Sequence, residues 1–244
     1  MSPFTAELLG TALLILLGDG VVANVVLKQT KGNGGGLIAI TTGWAFAVAV
    51  SVYAFGDFSG GHFNPAVTVA MASLGKLAWT AVPTYIAAQM LGAIIGATLV
   101  WLMYLPHWAV TESKADKLGV FCNSPAIPHT VGNLLAEIIG TAVLVLGVMA
   151  ILSPANLVPN SGFDKGFAPA LVGMLVWSIG LSLGGPTGYA INPARDLGPR
   201  LAHFVLPIPG KGGADWSYAW IPVVGPIIGG IVGALVYKAL WPVV

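Results

Sequence analysis

Hydrophobic and polar positions along this chain fall into long apolar runs broken by short polar turns. A bilayer core takes about 20 consecutive apolar residues per helix, and six segments reach that length: 5–27, 37–56, 80–104, 132–153, 167–185 and 216–240. Each predicts a membrane-spanning helix. Of the ten basic residues only Lys238 falls inside these windows, at an end from which its aliphatic stem reaches the interface. Two further apolar stretches, 64–75 and 192–206, are too short to cross, and each follows a Gly-containing polar turn. They predict re-entrant segments, which dip into the bilayer and return.

The pattern occurs twice. "AELLGTALLIL" at 6–16 matches "AEIIGTAVLVL" at 136–146 with an offset of 130, the two Asn-Pro-Ala triplets are offset by 128, and "LGAIIGA" at 91–97 matches "IGGIVGA" at 228–234 with an offset of 137. Three matches in one order indicate an internal duplication. The division expected is a first repeat over 1–104, a connecting loop over 105–131 and a second repeat over 132–244, within a single transmembrane channel domain over 1–244. Each repeat holds three spans, an odd number, so the second enters the membrane from the opposite side. The fold class expected is therefore an all-α membrane protein: six transmembrane helices and two re-entrant half-helices from an inverted three-span repeat.

Composition agrees with this reading. The chain is 56% hydrophobic and 8% charged, against about 25% charged in an ordinary soluble domain. Its net charge of +1 points to no nucleic-acid partner. The N-terminus has no basic stretch ahead of its apolar run and reads as a retained first span. Charge bias orients the chain poorly: with both termini cytoplasmic, the inner loops would carry Lys76, Lys165 and Lys238, and the outer side Lys28, Lys31, Lys114, Lys117, Arg200 and Lys211. Cys122, the one cysteine, falls in the polar connector and reads as a free surface thiol. The Gly-rich stretches 91–97 and 228–234 fit close helix packing, within or between subunits. No His/Cys/Asp cluster of metal-ligating type and no phosphate-binding loop stands out, so neither a metal nor another cofactor is expected.

The chemistry concentrates in the two triplets, Asn64-Pro65-Ala66 and Asn192-Pro193-Ala194. Asn is a favoured N-cap and Pro is tolerated at the first helical position, so each triplet starts a helix. A helix N-terminus carries about +0.5 of an elementary charge. Two of them meeting at mid-membrane repel cations, and the Asn64 and Asn192 amides can point N–H donors into a cavity.

"SGGHFNPAVT" and "TGYAINPARDLGP" resemble the aquaporin, or major intrinsic protein, family over essentially the whole chain. The resemblance implies an acceptor ladder from the carbonyls of Gly60, Gly61, His62, Phe63, Gly188, Tyr189 and Ala190. It also implies that Glu7 and Glu137 anchor the re-entrant loops. A carboxylate at such depth costs about 2.5–3.5 kcal/mol for Asp on insertion scales, and a proton-coupling role is the alternative. An outer selectivity filter of Trp44, Gly180, Tyr189 and Arg195 follows from the same resemblance. Taken singly, Trp44 reads as core packing, Gly180 as a helix contact and Arg195 as a residue reaching for the interface.

Water-selective members usually carry histidine at the position of Gly180 and small residues near Tyr189. Here Gly180 leaves room, while Trp44 and Tyr189 form an aromatic corner opposite Arg195. With Asp196, Arg200 and Pro222 as branch markers, the chain resembles the glycerol-facilitator branch. Tyr189 departs from the phenylalanine commoner there, and its hydroxyl is expected to tilt preference toward smaller or more polar solutes. His62 supplies a carbonyl and lies near the inner vestibule, His203 and His129 read as peripheral, and Asp19 reads as a buried hydrogen-bonded or subunit-contact residue. The function expected is passive passage of glycerol, water and other small uncharged solutes, with ions and protons excluded and no reaction catalysed. A mainly water-selective channel, a secondary transporter and a structural membrane protein are the rivals. Family resemblance implies a homotetramer in the lipid bilayer. Short tails suggest a prokaryotic cytoplasmic membrane with both termini cytoplasmic.

Overall fold

The structure is a computed structural model that describes residues 1–159 and 161–241. Among the described residues there are ten α-helices: α1 (Pro3–Val26), α2 (Gly36–Ser59), α3 (Pro65–Ser73), α4 (Val82–Met103), α5 (Leu105–Val110), α6 (Lys114–Phe121), α7 (Thr130–Ile151), α8 (Gly162–Leu183), α9 (Pro193–Val205) and α10 (Ile221–Leu240). Six of them, with a 3-10 turn leading into α4, are long and apolar enough to cross a membrane. They coincide with the six predicted spans.

Most boundaries shift by three residues or fewer, and two shift by five, each for a physical reason. α8 starts five residues early because Ser161 caps it, its hydroxyl accepting from the Asp164 amide at 3.0 Å, and the polar first turn hides this start from a hydropathy reading. α10 starts five residues late. The backbone at 214–215 is recruited elsewhere: Asp215 has φ 46°, and the carbonyls of Ala214 and Asp215 accept from Arg200.

The helices pair as the duplication predicts, α1 on α4 and α7 on α10, with α2 and α8 closing the bundle between them. Both Gly-rich stretches pack inside the chain. A Cβ on Gly92 or Gly96 would fall 2.2 Å from Leu8 O or 2.5 Å from Ala12 O on α1. One on Gly229 or Gly233 would fall 2.3 Å from Ile138 O or 2.5 Å from Ala142 O on α7. The small residues therefore bring backbones together within each repeat, as small-residue stripes do in membrane helix pairs.

The half-helices α3 and α9 meet at their N-terminal ends. With nine and thirteen residues at 1.5 Å each, they are together roughly 33 Å long, close to the ~30 Å of a hydrocarbon core. End to end they act as one further span, broken at its middle. The far end of α9 is closed by Lys211, whose Nζ donates to the carbonyls of His203, Phe204 and Leu206 at 2.6–2.7 Å, a cation at the negative end of a helix.

Residues 105–131 do more than connect. Trp108 and Phe121 are fully buried and stack at 5.5 Å, and α6 packs on both α1 and α9. Lys117 is buried too, its ammonium donating to the Pro209 carbonyl. Cys122 is a correction to the sequence reading: at 2% exposure it is a buried thiol, and burial pushes its pKa well up. His203 is likewise fully buried, edge-on to Phe121 at 5.5 Å. His129 is exposed and caps α7, its Nδ1 accepting from the Gly132 amide.

Candidate functional site: a pore between two half-helix tips

Each tip is built by the same local chemistry. Asn64 and Asn192 are extended N-caps, each followed by Pro in the first turn; Asn64 Oδ1 accepts from Ala66 N at 2.9 Å, and Asn192 Oδ1 from Ala194 N at 3.0 Å and Arg195 N at 3.3 Å. The amide nitrogens reach across. Asn64 Nδ2 donates to Ile191 O at 2.8 Å, and Asn192 Nδ2 donates to Phe63 O at 2.9 Å. Each side chain thus spends its oxygen on its own helix and one N–H on the opposite loop. One N–H per asparagine remains, and both residues line the cavity described below.

The loops entering the tips are unwound by alternating backbone handedness. Gly60, Gly61 and Phe63 have φ of 89°, 64° and 45°, and Gly188, Tyr189 and Ile191 have 77°, 42° and 44°. Three of these are not glycine, and a left-handed φ costs a bulky side chain free energy unless its surroundings impose it. The surroundings here are two carboxylates. Glu7 accepts from Ser59 Oγ (2.6 Å), His62 N (3.0 Å), Phe63 N (2.7 Å) and Gln89 Nε2 (2.7 Å). Glu137 accepts from Thr187 Oγ1 (2.7 Å), Ala190 N (3.0 Å) and Ile191 N (2.9 Å). Both carboxylates are fully buried, so these donors satisfy charges that have no water.

One cavity of about 110 Å³ runs past both tips. Gly60, Gly61 and His62 line it together with Trp44, Tyr189 and Arg195, and aliphatic side chains such as Val52, Val148 and Val176 fill in the wall. Gly180 and Gly188 are not among its lining residues. The Phe63 carbonyl, expected as a rung of the acceptor ladder, already accepts from Asn192. His62 packs its ring on Tyr85 at 5.0 Å between centroids and sits 3.1 Å from Thr68 Oγ1 through Nδ1.

At one end of the cavity the Arg195 guanidinium lies over Trp44, with Cζ 4.2 Å from the ring centroid. Arg195 is 8% exposed, and its side chain makes no hydrogen bond to protein among the described residues. Its five donors stay available. Gly180 acts indirectly: a Cβ there would fall 2.7 Å from Thr41 Cγ2, 2.8 Å from Tyr189 Cζ and 3.0 Å from Tyr189 Oη. The room left by this glycine is therefore taken by the tyrosine, whose hydroxyl turns toward α8 and is buried without a partner among the described residues. The expectation that this hydroxyl acts on solute does not fit that placement.

Residues 1–237 match the model of the family described as "Major intrinsic protein". The chain belongs to the major intrinsic protein family. It is 61% identical to a "Probable glycerol uptake facilitator protein" of Thermotoga maritima, covering 99% of this chain and 100% of that one. A "Glycerol uptake facilitator protein" of Bacillus subtilis is 54% identical, covering 98% and 85%. The X-ray structure of the aquaglyceroporin from Plasmodium falciparum superposes with a TM-score of 0.85 at 30% identity, covering 97% and 95%. The protein is thus a multi-pass membrane protein with the aquaporin fold.

Beyond the residues that carry the family resemblance, the structure adds Ser59, Thr187, Gln89 and Asn123. Ser59 and Thr187 are hydroxyl donors to the two glutamates, and their shared offset of 128 makes that equivalence readable in the sequence. Gln89, a lone amide in an apolar span, donates from Nε2 to both Glu7 and Thr68. No counterpart exists in the second half, where the matching position is Pro226. Asp196 and Arg200 form a buried pair, Nε to Oδ1 at 2.8 Å and Nη2 to Oδ2 at 3.1 Å. Around them Asn123 N donates to Asp196, and Arg200 donates to the carbonyls of Asn123, Ala214 and Asp215. This hub ties the connector and the loop before α10 to the body of α9. Pro222 is buried in the first turn of α10.

Proposed function

We propose that this family member is a passive channel for glycerol and similar small uncharged solutes, which also passes water and excludes ions and protons. The observation that carries the reading is the asymmetric end of the cavity, where Trp44 and Tyr189 offer aromatic surface and Arg195 offers unpaired donors. A short polyol has one edge of each kind: its carbon backbone lies on the rings and its hydroxyls turn to the guanidinium. The names of the Thermotoga maritima and Bacillus subtilis relatives support glycerol as the solute.

Exclusion follows from the same parts. A cation entering must shed water in a narrow apolar-walled passage and then face Arg195 and two helix N-termini, all electropositive. At the tips the asparagines present only N–H donors. A water molecule held there accepts through its oxygen and points its hydrogens away, which breaks the uniformly oriented chain that proton hopping requires.

The filter of Trp44, Gly180, Tyr189 and Arg195, the division into repeats at 105–131, a homotetramer with one pore per subunit, and a bacterial cytoplasmic membrane with both termini inside complete the proposal. Stopped-flow light scattering on proteoliposomes tests it. Rapid glycerol and water entry, both passive and independent of membrane potential, is expected. Rapid water flux with no glycerol entry above that of empty vesicles would remove the polyol assignment.

A further inference from the structure

Two aromatic rings line the cavity beside Arg195, and no hydrogen bond among the described residues locates either of them. The Trp44 Nε1 and the Tyr189 hydroxyl are both buried and unpartnered. A ring without a polar tether rests where its neighbours leave space. Tyr189 is backed by two glycines: a Cβ on Gly180 would fall 2.8 Å from its Cζ, and one on Gly184, the residue that ends α8, 2.6 Å from its Cδ1. Trp44 is backed by one. A Cβ on Gly18 of α1 would fall 2.3 Å from Cζ3 and 2.5 Å from Cε3 and Cη2, and these indole carbons are the three nearest atoms it would meet. Asp19, beside it, is fully buried and neither carboxylate oxygen has a hydrogen-bond partner among the described residues, so neither the hydrogen-bonded nor the subunit-contact reading fits it.

Gly18 does not line the cavity, whereas Leu14, one helical turn earlier on the same face of α1, does. At the level of Gly18 the indole stands in front of α1 and supplies the wall. The second repeat shows the other arrangement. At an offset of 130 Gly18 corresponds to Val148, at an offset of 128 Trp44 corresponds to Val172, and both valines line the cavity. Volume withdrawn from the first span of one repeat thus reappears on its second span, while the other repeat divides it evenly.

We propose that Gly18 is a specificity-determining positioning residue: the recess left by its missing side chain sets how deeply the Trp44 ring seats, and with it the width of the passage in front of Arg195 and Tyr189. Gly18 acts through Trp44 and touches no solute. The proposal rests on the filter reading given above. An alanine at 18 would drive the ring off by roughly 1.2–1.7 Å, since carbon atoms pack at about 3.5–4.0 Å and the gap to Cζ3 is 2.3 Å. With α1 behind it, the ring advances on the passage and on the guanidinium that lies over its face. Glycerol, the wider solute, is obstructed before water is.

A double-mutant cycle read as the glycerol-to-water permeability ratio tests it. Both fluxes are taken on the same proteoliposomes, so the ratio is independent of how much channel is reconstituted. Gly18→Ala is expected to lower the ratio about fivefold, and to move it less than about 1.5-fold in Trp44→Leu, whose side chain ends short of the ring atoms that Gly18 faces. An unchanged ratio in Gly18→Ala, or the same shift in both backgrounds, overturns the proposal and makes the glycine a packing element of α1 alone. If Gly18→Ala yields no folded channel, the double variant decides: recovery of a folded, conducting protein on removing the ring supports the proposal, and failure of the double variant as well overturns it. If Trp44→Leu by itself leaves the ratio unaltered, the filter reading has failed, and the role of Gly18 goes with it.

Discussion

Arg195 rests on the face of Trp44, 4.2 Å from guanidinium carbon to ring centroid, and this contact joins α9 to α2 in the cavity wall, where the sequence reading had set the arginine opposite the ring. It fixes where the donors of the site point. Cation–π contacts of a desolvated pair are worth about 2 kcal/mol. Trp44→Leu is therefore expected to lower glycerol permeability by at least roughly tenfold, with water permeability lowered less. Paired glycerol and water swelling rates on one vesicle preparation check it; equal losses would mean that the ring only packs.

Replacing Asn192 by alanine removes a cap and leaves the buried Phe63 carbonyl without its donor. A lost cap costs about 1 kcal/mol and an orphaned buried acceptor about 1–3 kcal/mol, so Asn192→Ala should be destabilised by about 2–4 kcal/mol. Denaturation of the detergent-solubilised protein, followed by circular dichroism, measures this.

Glu137→Gln tests the anchor. The carboxylate accepts from three donors, and a glutamine amide would turn an N–H toward at least one of them. Expected are a loss of about 2–3 kcal/mol in stability, from donors left facing one another, and loss of both glycerol and water flux. A stable variant with full flux would show that the loop at 187–191 holds its conformation without the carboxylate.

The contact of Gly180 with Tyr189 separates two substitutions that look equally disruptive on paper. Gly180→His must displace the tyrosine ring, because even its Cβ meets Cζ at 2.8 Å; glycerol flux is expected to fall about tenfold or more, an overpacking effect of one to two kcal/mol at a site that cannot relax freely. Tyr189→Phe only deletes a buried hydroxyl that has no partner among the described residues. Its solute ranking should stay within about twofold of wild type and its thermal stability should match or exceed it, since an unsatisfied buried polar group is itself destabilising.

Cys122 provides a test of the connector's packing. The thiol is buried and its pKa is pushed well up by that burial, so little thiolate forms and little of it meets solvent. Maleimide labelling at neutral pH is expected to be slower in the folded channel than in denaturant by a factor of about 100 or more. Raising the pH to 8.5 should accelerate labelling of the unfolded chain and leave the folded one nearly unlabelled.

Most of the fold was legible because membrane helices announce themselves by length alone, and because a duplication with offsets of 128 to 137 imposes its own topology. The tips were legible for a local reason: Asn is a favoured N-cap and Pro fits the first helical turn. Tertiary features were not. Cys122 and His203 look polar and peripheral in sequence, yet α6 packs on α1 and α9 and both residues are buried. The placement of the Tyr189 hydroxyl depends on the space left by Gly180 on α8. Asp19 was conspicuous as a carboxylate in an apolar run, but its complete burial is set by helices far away in the chain and no local pattern encodes it.

The exchanged bonds between the asparagine tips also constrain how the chain is made. A ribosome delivers residues 1–104 first, and at that stage the Phe63 carbonyl and one Asn64 N–H have nothing to bind. The early half must wait in the bilayer with its re-entrant turn unfinished, until some 90 further residues have been synthesised and inserted with the opposite polarity. Biogenesis is then cooperative across the whole polypeptide, and a truncation after the fourth helix should yield a product that quality-control proteases recognise, however hydrophobic its spans.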